Sequence, residues 1–362
     1  MEWYEITNES EIDSPALLVY PERVTANIDA AIKITGDPSR LIPHGKTHKS
    51  DQGFRAMINK GITRFKCATI RECIIAAKSG AKQVLLSYQP VGPKIARFIQ
   101  VIEDFPGTSF SCLVDDVHAA EMLADACKNS GLVLDVFIDV NSGMNRTGIY
   151  AGEHAEALYS FISQSENLKL AGLQAYDGQI KEPDLNKRKL MSDQGFESVI
   201  RLRKKLEASA GKELELIAGG SPTFPVHAQY KDRTCSPGTF IFWDHGYEVS
   251  CPDQPFVVAA VLLCRVISKA TADTITVDLG HKAVAAENVI DRRVYFPSDP
   301  HLTAISQSEE HLVLKTSGKQ YEIGDVLYGI PYHICPTVAL YDRMVIVNDK
   351  IAAGDWTIDR GR

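Results

Sequence analysis

Between Leu41 and Trp243 the chain repeats one unit: a short apolar run, a turn, then a longer stretch with helical spacing. The runs are Leu41-Ile42, Arg64 to Ala68, Gln83 to Ser87, Phe110 to Val114, Leu134 to Val140, Leu170 to Tyr176, Leu214 to Ala218 and Gly238 to Phe242. Between them, Asp116 to Lys128 carries Val117, Ala120, Met122, Leu123 and Ala124, and Gly152 to Gln164 carries Ala155, Leu158, Tyr159 and Ile162, at helical spacing. Eight strands alternating with helices over about 200 residues fit an α/β chain folded as a (β/α)8 TIM barrel. A doubly wound open sheet is the alternative. It is disfavoured because no Gly-x-Gly-x-x-Gly turn follows an early strand.

After about Glu248 the texture changes. Val257 to Leu263, Thr274 to Asp278, His311 to Leu314, Val326 to Tyr328 and Met344 to Val347 are strand-like runs separated by Gly, Pro, Asp and Asn turns. A second, β-rich C-terminal domain is expected there, and Ala16 to Tyr20 is assigned to it. The division is therefore a barrel over residues 21–248 and a β-rich domain from residues 1–20 plus 249–362. A length of 362 residues accommodates both.

The balance of 39 basic to 46 acidic residues, net charge −7, has no block of like charge, so neither nucleic acid nor an anionic membrane is indicated. A small-molecule substrate is expected. No apolar segment approaches the roughly 20 residues that span a bilayer, and the N-terminus has no cationic start followed by an apolar stretch. The expectation is a soluble, cytoplasmic protein. The eight cysteines form no Cys-x-x-Cys pair, and Cys67, Cys112 and Cys264 lie in apolar runs, where a free cysteine acts as a small hydrophobe.

In barrel enzymes the reactive groups sit at the C-terminal ends of strands. Lys46 follows the first run within Pro43-His44-Gly45-Lys46-Thr47-His48-Lys49. A lysine held at the end of a buried strand is poorly solvated and suited to Schiff-base chemistry. Asn141 to Arg146 follow the fifth run, Tyr176-Asp177-Gly178 the sixth, and Gly219-Gly220-Ser221-Pro222-Thr223 the seventh. Free backbone N–H groups and hydroxyls at such a glycine turn suit a phosphate, and together with the lysine they suggest pyridoxal phosphate. On a strand, His333 and Cys335 would point to one face and could share a divalent metal, with positions left for water or substrate.

Together with Ser142 to Gly148, Pro237-Gly238-Thr239-Phe240 and His333 to Thr337, these blocks resemble the D-threonine aldolase and D-serine dehydratase family of pyridoxal-phosphate enzymes, of the alanine-racemase-like fold type. The resemblance implies a homodimer, with Lys46 holding the cofactor 5'-phosphate ester of pyridoxal. Arg146 would lie beside the cofactor's phenolic oxygen. Gly219, Gly220, Ser221 and Gly238 would surround its phosphate, with Tyr176 and Thr239 also in the cofactor site. Many relatives carry a histidine immediately after Tyr-Asp-Gly. Here Gln179 stands in its place, and an amide is no general base, so His44, His245 and a metal-bound hydroxide remain as candidates, with His44 and Tyr176 placed in the catalytic group beside Lys46.

The activity implied is a metal-assisted lyase that cleaves D-configured β-hydroxy amino acids to glycine and an aldehyde. The rival is a D-serine or D-3-hydroxyaspartate dehydratase, towards which Cys335 leans because thiolate favours zinc over harder ions such as manganese or magnesium. A racemase would need a matching tyrosine motif in the β domain, and a non-catalytic cofactor carrier would consist of the barrel alone. Both fit less well.

Overall fold

A computed structural model describes residues 1–361. By its internal packing the chain forms two units, one of Met1–Ala30, Thr47–Gln52 and Thr239–Arg360, the other of Ala31–Lys46 and Gly53–Gly238. The first strand, β1 (Ala16–Val19), belongs to the former unit.

The second unit is the barrel. Its strands β2 (Arg64–Cys67), β3 (Gln83–Leu86), β4 (Ser109–Val114), β5 (Leu134–Val140), β6 (Leu168–Ala175), β7 (Glu215–Ala218) and β8 (Arg233–Cys235) pair in parallel in chain order. The two edges meet through the segment before Lys46: Leu41 bridges Cys235 and His44 bridges Lys66, both in parallel. Ile42 N donates to Cys235 O at 2.9 Å, and Lys66 N to Pro43 O at 2.9 Å. Pro43 has no N–H to donate, which reduces the expected first strand to two separate bridges.

The eighth strand corrects the sequence expectation. It is Arg233–Cys235, whereas Gly238 to Phe242 contains the 3-10 helix Thr239–Ile241. Phe240, Ile241 and Phe242 are all buried, and an all-apolar run carries no period that separates strand from turn. Arg233-Thr234-Cys235 was hidden by its polar residues, whose partners lie inside the unit: Arg233 on His227, Thr234 on Glu215.

Leu85, Leu113, Phe137 and Ile217 from β3, β4, β5 and β7 pack with Ile42 as the apolar floor of the barrel. Crossover helices cap as their sequences suggest. Asp116, for instance, accepts from Ala119 N at 2.9 Å to start Val117–Asn129.

In the other unit, β9 (Ala260–Thr271) is the central strand of a mostly antiparallel sheet. It pairs with β1, with β10 (Thr274–Val277) and with β14 (Val326–Pro331). The strands β11 (Val294–Tyr295), β12 (Thr303–Gln307) and β13 (Leu312–Lys315) lie outward, and β15 (Arg343–Asn348) with β16 (Ile351–Thr357) completes the far edge beside β1. Its core gathers Leu18, Tyr20, Val261, Leu263, Tyr328 and Ile330. Among the described residues no helix is long and apolar enough to cross a membrane.

Candidate active site

Lys46 sits in a 3-10 turn, Gly45–Thr47. A side chain at Gly45 would meet the Phe54 ring at 2.3 Å, so only glycine lets the turn close over that ring. Lys46 N donates to His44 Nδ1 at 3.3 Å, and His44 Nε2 lies 3.3 Å from Ser87 Oγ. Ser87 gives its own proton to Cys67 O at 2.8 Å. His44 Nε2 must therefore carry the ring proton and donate it to Ser87. Both ring nitrogens are engaged, which suits His44 to holding the lysine turn.

A second barrel lysine escaped the sequence reading. Lys66 is 5% exposed on β2, in register with Leu85. Burial lowers its ammonium to about 8, against the opposing carboxylate of Asp139, with Lys46 and Arg146 adding to the fall. Burial likewise raises Asp139, against the attraction of Lys66. The signal was present in the sequence: a charge between Phe65 and Cys67, both fully buried.

At the ends of β6 and β7 two glycine turns close on one another. Gly219 has φ +71°, and a Cβ on it would lie 2.3 Å from the His227 ring. A Cβ on Gly220 would lie 2.6 Å from the Tyr176 ring, and one on Gly178 2.2 Å from the same ring. Ser221 Oγ accepts from Gly238 N at 3.2 Å. Among the described residues the buried hydroxyl of Ser236 has no hydrogen-bond partner. Glycines where a side chain would collide, with serine hydroxyls beside them, fit a phosphorylated cofactor. The exposed Arg146 lies with its guanidinium 5.0 Å over the Tyr176 ring. Gln179 donates to Ser142 O at 3.2 Å.

Beneath these turns lies a fully buried carboxylate that the sequence reading passed over. Asp177 Oδ1 accepts from Thr223 Oγ1 at 2.6 Å, and Oδ2 accepts from Ser192 Oγ at 2.8 Å and His227 Nε2 at 2.9 Å. Arg233 donates to His227 Nδ1 at 3.0 Å. Burial would raise Asp177, but the hydrogen bonds from His227, Thr223 and Ser192 outweigh it and hold the carboxyl below its ordinary value.

His333 and Cys335 lie in the other unit, and they are not on a strand. His333 caps the short helix Ile334–Val338, in whose first turn Cys335 and Pro336 stand. Proline suits a helix start, and the buried Asp244 accepts from Ile334 N at 3.0 Å to hold it. The period-two argument for a shared face therefore does not apply. The two side chains nevertheless meet: burial lowers His333, but the hydrogen bond and charge of Cys335, with Asp244 and Glu287, raise it to about 9. His333 Nδ1 is 2.6 Å from Glu287 Oε1. Cys335 Sγ is 3.2 Å from Thr47 Oγ1 and 3.6 Å from Thr239 Oγ1. Among the described residues no group of three His, Cys, Asp or Glu side chains is gathered as a ready metal site. His245 stacks on Tyr295 at 4.0 Å and faces Glu248 at 3.2 Å.

A parallel barrel with a lysine turn, a glycine cradle and a separate antiparallel sheet defines the alanine-racemase-like class. Residues 19–245 match the family described as "Alanine racemase, N-terminal domain", and the chain belongs to it. Residues 259–347 match a "Putative serine dehydratase domain". The chain is 26% identical to a D-threonine aldolase from Arthrobacter sp, over 96% of this chain and 93% of that one. It is 28% identical to a 3-hydroxy-D-aspartate aldolase from Paracoccus denitrificans (strain Pd 1222), over 98% and 94%. The crystal structure of D-threonine aldolase from Filomicrobium marinum superposes with a TM-score of 0.88 at 24% identity, covering 96% of both chains.

Proposed function

We propose that this protein is a pyridoxal-phosphate-dependent, metal-assisted lyase that cleaves D-β-hydroxy amino acids to glycine and an aldehyde. The observation that carries the reading is the presence of a lysine turn and an anion cradle at the same, C-terminal end of one parallel sheet: Lys46 follows the His44 bridge, and Gly219 follows β7. The aldolase relatives supply the substrate class.

Lys46 would hold the cofactor, with Gly219, Gly220, Ser221, Gly238 and Thr239 around its phosphate and Arg146 with Tyr176 along its ring. When bound, pyridoxal phosphate supplies an electron sink for the pair released by Cα–Cβ cleavage. His44 keeps the lysine turn in place through Nδ1. His333 and Cys335 would hold a divalent ion, zinc by the softness of the thiolate, to bind the substrate's β-hydroxyl. The proton leaves that hydroxyl, the Cα–Cβ bond breaks, and Cα regains a proton to give glycine.

A dehydratase of D-serine or D-3-hydroxyaspartate is the second reading. The thiolate ligand and the match of residues 259–347 favour it. Incubation of the holoenzyme with D-threonine and with D-serine separates the two. Glycine plus aldehyde supports the lyase, 2-oxo acid plus ammonia supports the dehydratase, and no product from these two substrates or from D-3-hydroxyaspartate rejects both.

A further inference from the structure

Asp177 lies within the glycine turn after β6 and reaches residues that support the turn after β7. Its neighbours in sequence are Tyr176 and Gly178, and three donors from three different segments converge on its two oxygens: Thr223 beyond the Gly219-Gly220 turn, His227 from the following short helix, and Ser192 from the long helix Leu185–Ala210. Because a guanidinium can only donate, Arg233 on His227 Nδ1 leaves the ring proton on Nε2, directed at Asp177. Arg233 is itself stacked 3.7 Å over Tyr230. The buried negative charge is thus matched through His227 by a cation on β8.

Thr223 gives its proton to Asp177, so its lone pairs face Gly220 N at 3.5 Å. The same carboxylate therefore sets the Thr223 hydroxyl, the ring of His227 against Gly219, and the strand end that bears Tyr176 against Gly220.

We propose that Asp177 is a positioning residue: with Thr223, Ser192 and His227 it holds the Gly219-Gly220-Ser221 turn in the one geometry that receives a phosphate monoester. This rests on the cofactor reading given above, and the test separates the two. An asparagine at 177 offers one accepting oxygen where three donors arrive, so it cannot replace the carboxylate.

The test compares pyridoxal 5'-phosphate with pyridoxal, which lacks the phosphate, as probes titrated into apoprotein and read by visible absorbance. In Thr223→Val and Asp177→Asn the preference for the phosphorylated probe should fall by roughly tenfold or more, the size expected for losing a hydrogen bond that orders a charged-group site. Thr223→Ser should restore it. An unchanged preference, or a Thr223→Ser protein as impaired as Thr223→Val, overturns the proposal even if the melting temperature falls. Should Thr223→Val fail to fold, Ser192→Ala removes one donor without touching either glycine turn. A drop of about threefold is then expected, and no drop overturns the proposal. If wild-type protein binds neither probe, the cofactor reading itself is wrong, which is a distinct result.

Discussion

The Thr47 hydroxyl and the Cys335 thiol lie 3.2 Å apart, and Thr47 follows Lys46 directly in the chain. If Cys335 with His333 holds a zinc ion, elemental analysis of active protein should find about one late divalent ion per chain. Chelation should remove turnover and leave the yellow colour of the lysine-bound cofactor. Cys335→Ala should behave like chelated enzyme, and Cys335→Asp should keep a site whose preference moves towards manganese or magnesium. Full turnover of metal-free protein would contradict this.

Arg146 is exposed and lies over the Tyr176 ring. Arg146→Ala should therefore leave the melting temperature almost unchanged, since exposed positions contribute little to stability. Turnover should fall roughly tenfold or more, the scale of a charge-assisted hydrogen bond. Kinetics equal to wild type would return Arg146 to an ordinary surface role.

His48 links acidity to stability. It is fully buried, and burial lowers its imidazole to about 3 from an ordinary 6.5, with Lys49 adding to the fall and a hydrogen bond to Ser50 opposing it. The unfolded chain therefore binds a proton that the folded chain refuses. The stability this confers is complete above pH 6.5 and is lost as pH falls towards 3. Between pH 7 and pH 5, wild type should lose about 2 kcal/mol more than His48→Gln in denaturant unfolding. Parallel losses in the two proteins would show that His48 is not the group responsible.

The barrel was legible because its period is long and its crossover helices are amphipathic. It failed at Gly238 to Phe242, where the consecutive buried Phe240, Ile241 and Phe242 carry no period, and at Arg233–Cys235, where polar side chains turn inward to His227 and Glu215. Lys46 and the glycine cradle could be read from short local motifs. Asp177 could not, because its role depends on His227 and Ser192, 50 and 15 residues away. Lys66 is visible as a charge between two buried apolar residues, but its counter-charge Asp139, three strands further on, is not. The strand expected at His333 and Cys335 is instead a helix start, built by Pro336 and Asp244, which no period-two reading of the sequence could show.

The reactive amine can be identified directly, because the barrel contains a second lysine to compete with it. Holoenzyme reduced with borohydride, digested and sequenced by mass spectrometry reports which amine carries the cofactor. Lys46 follows the barrel-closing segment in a glycine turn, whereas Lys66 is 5% exposed and opposed by Asp139. The label should fall on the peptide containing Lys46, and Lys46→Ala should lose both the visible band and turnover. A label on Lys66 or Lys49, or a yellow and active Lys46→Ala protein, would contradict the account.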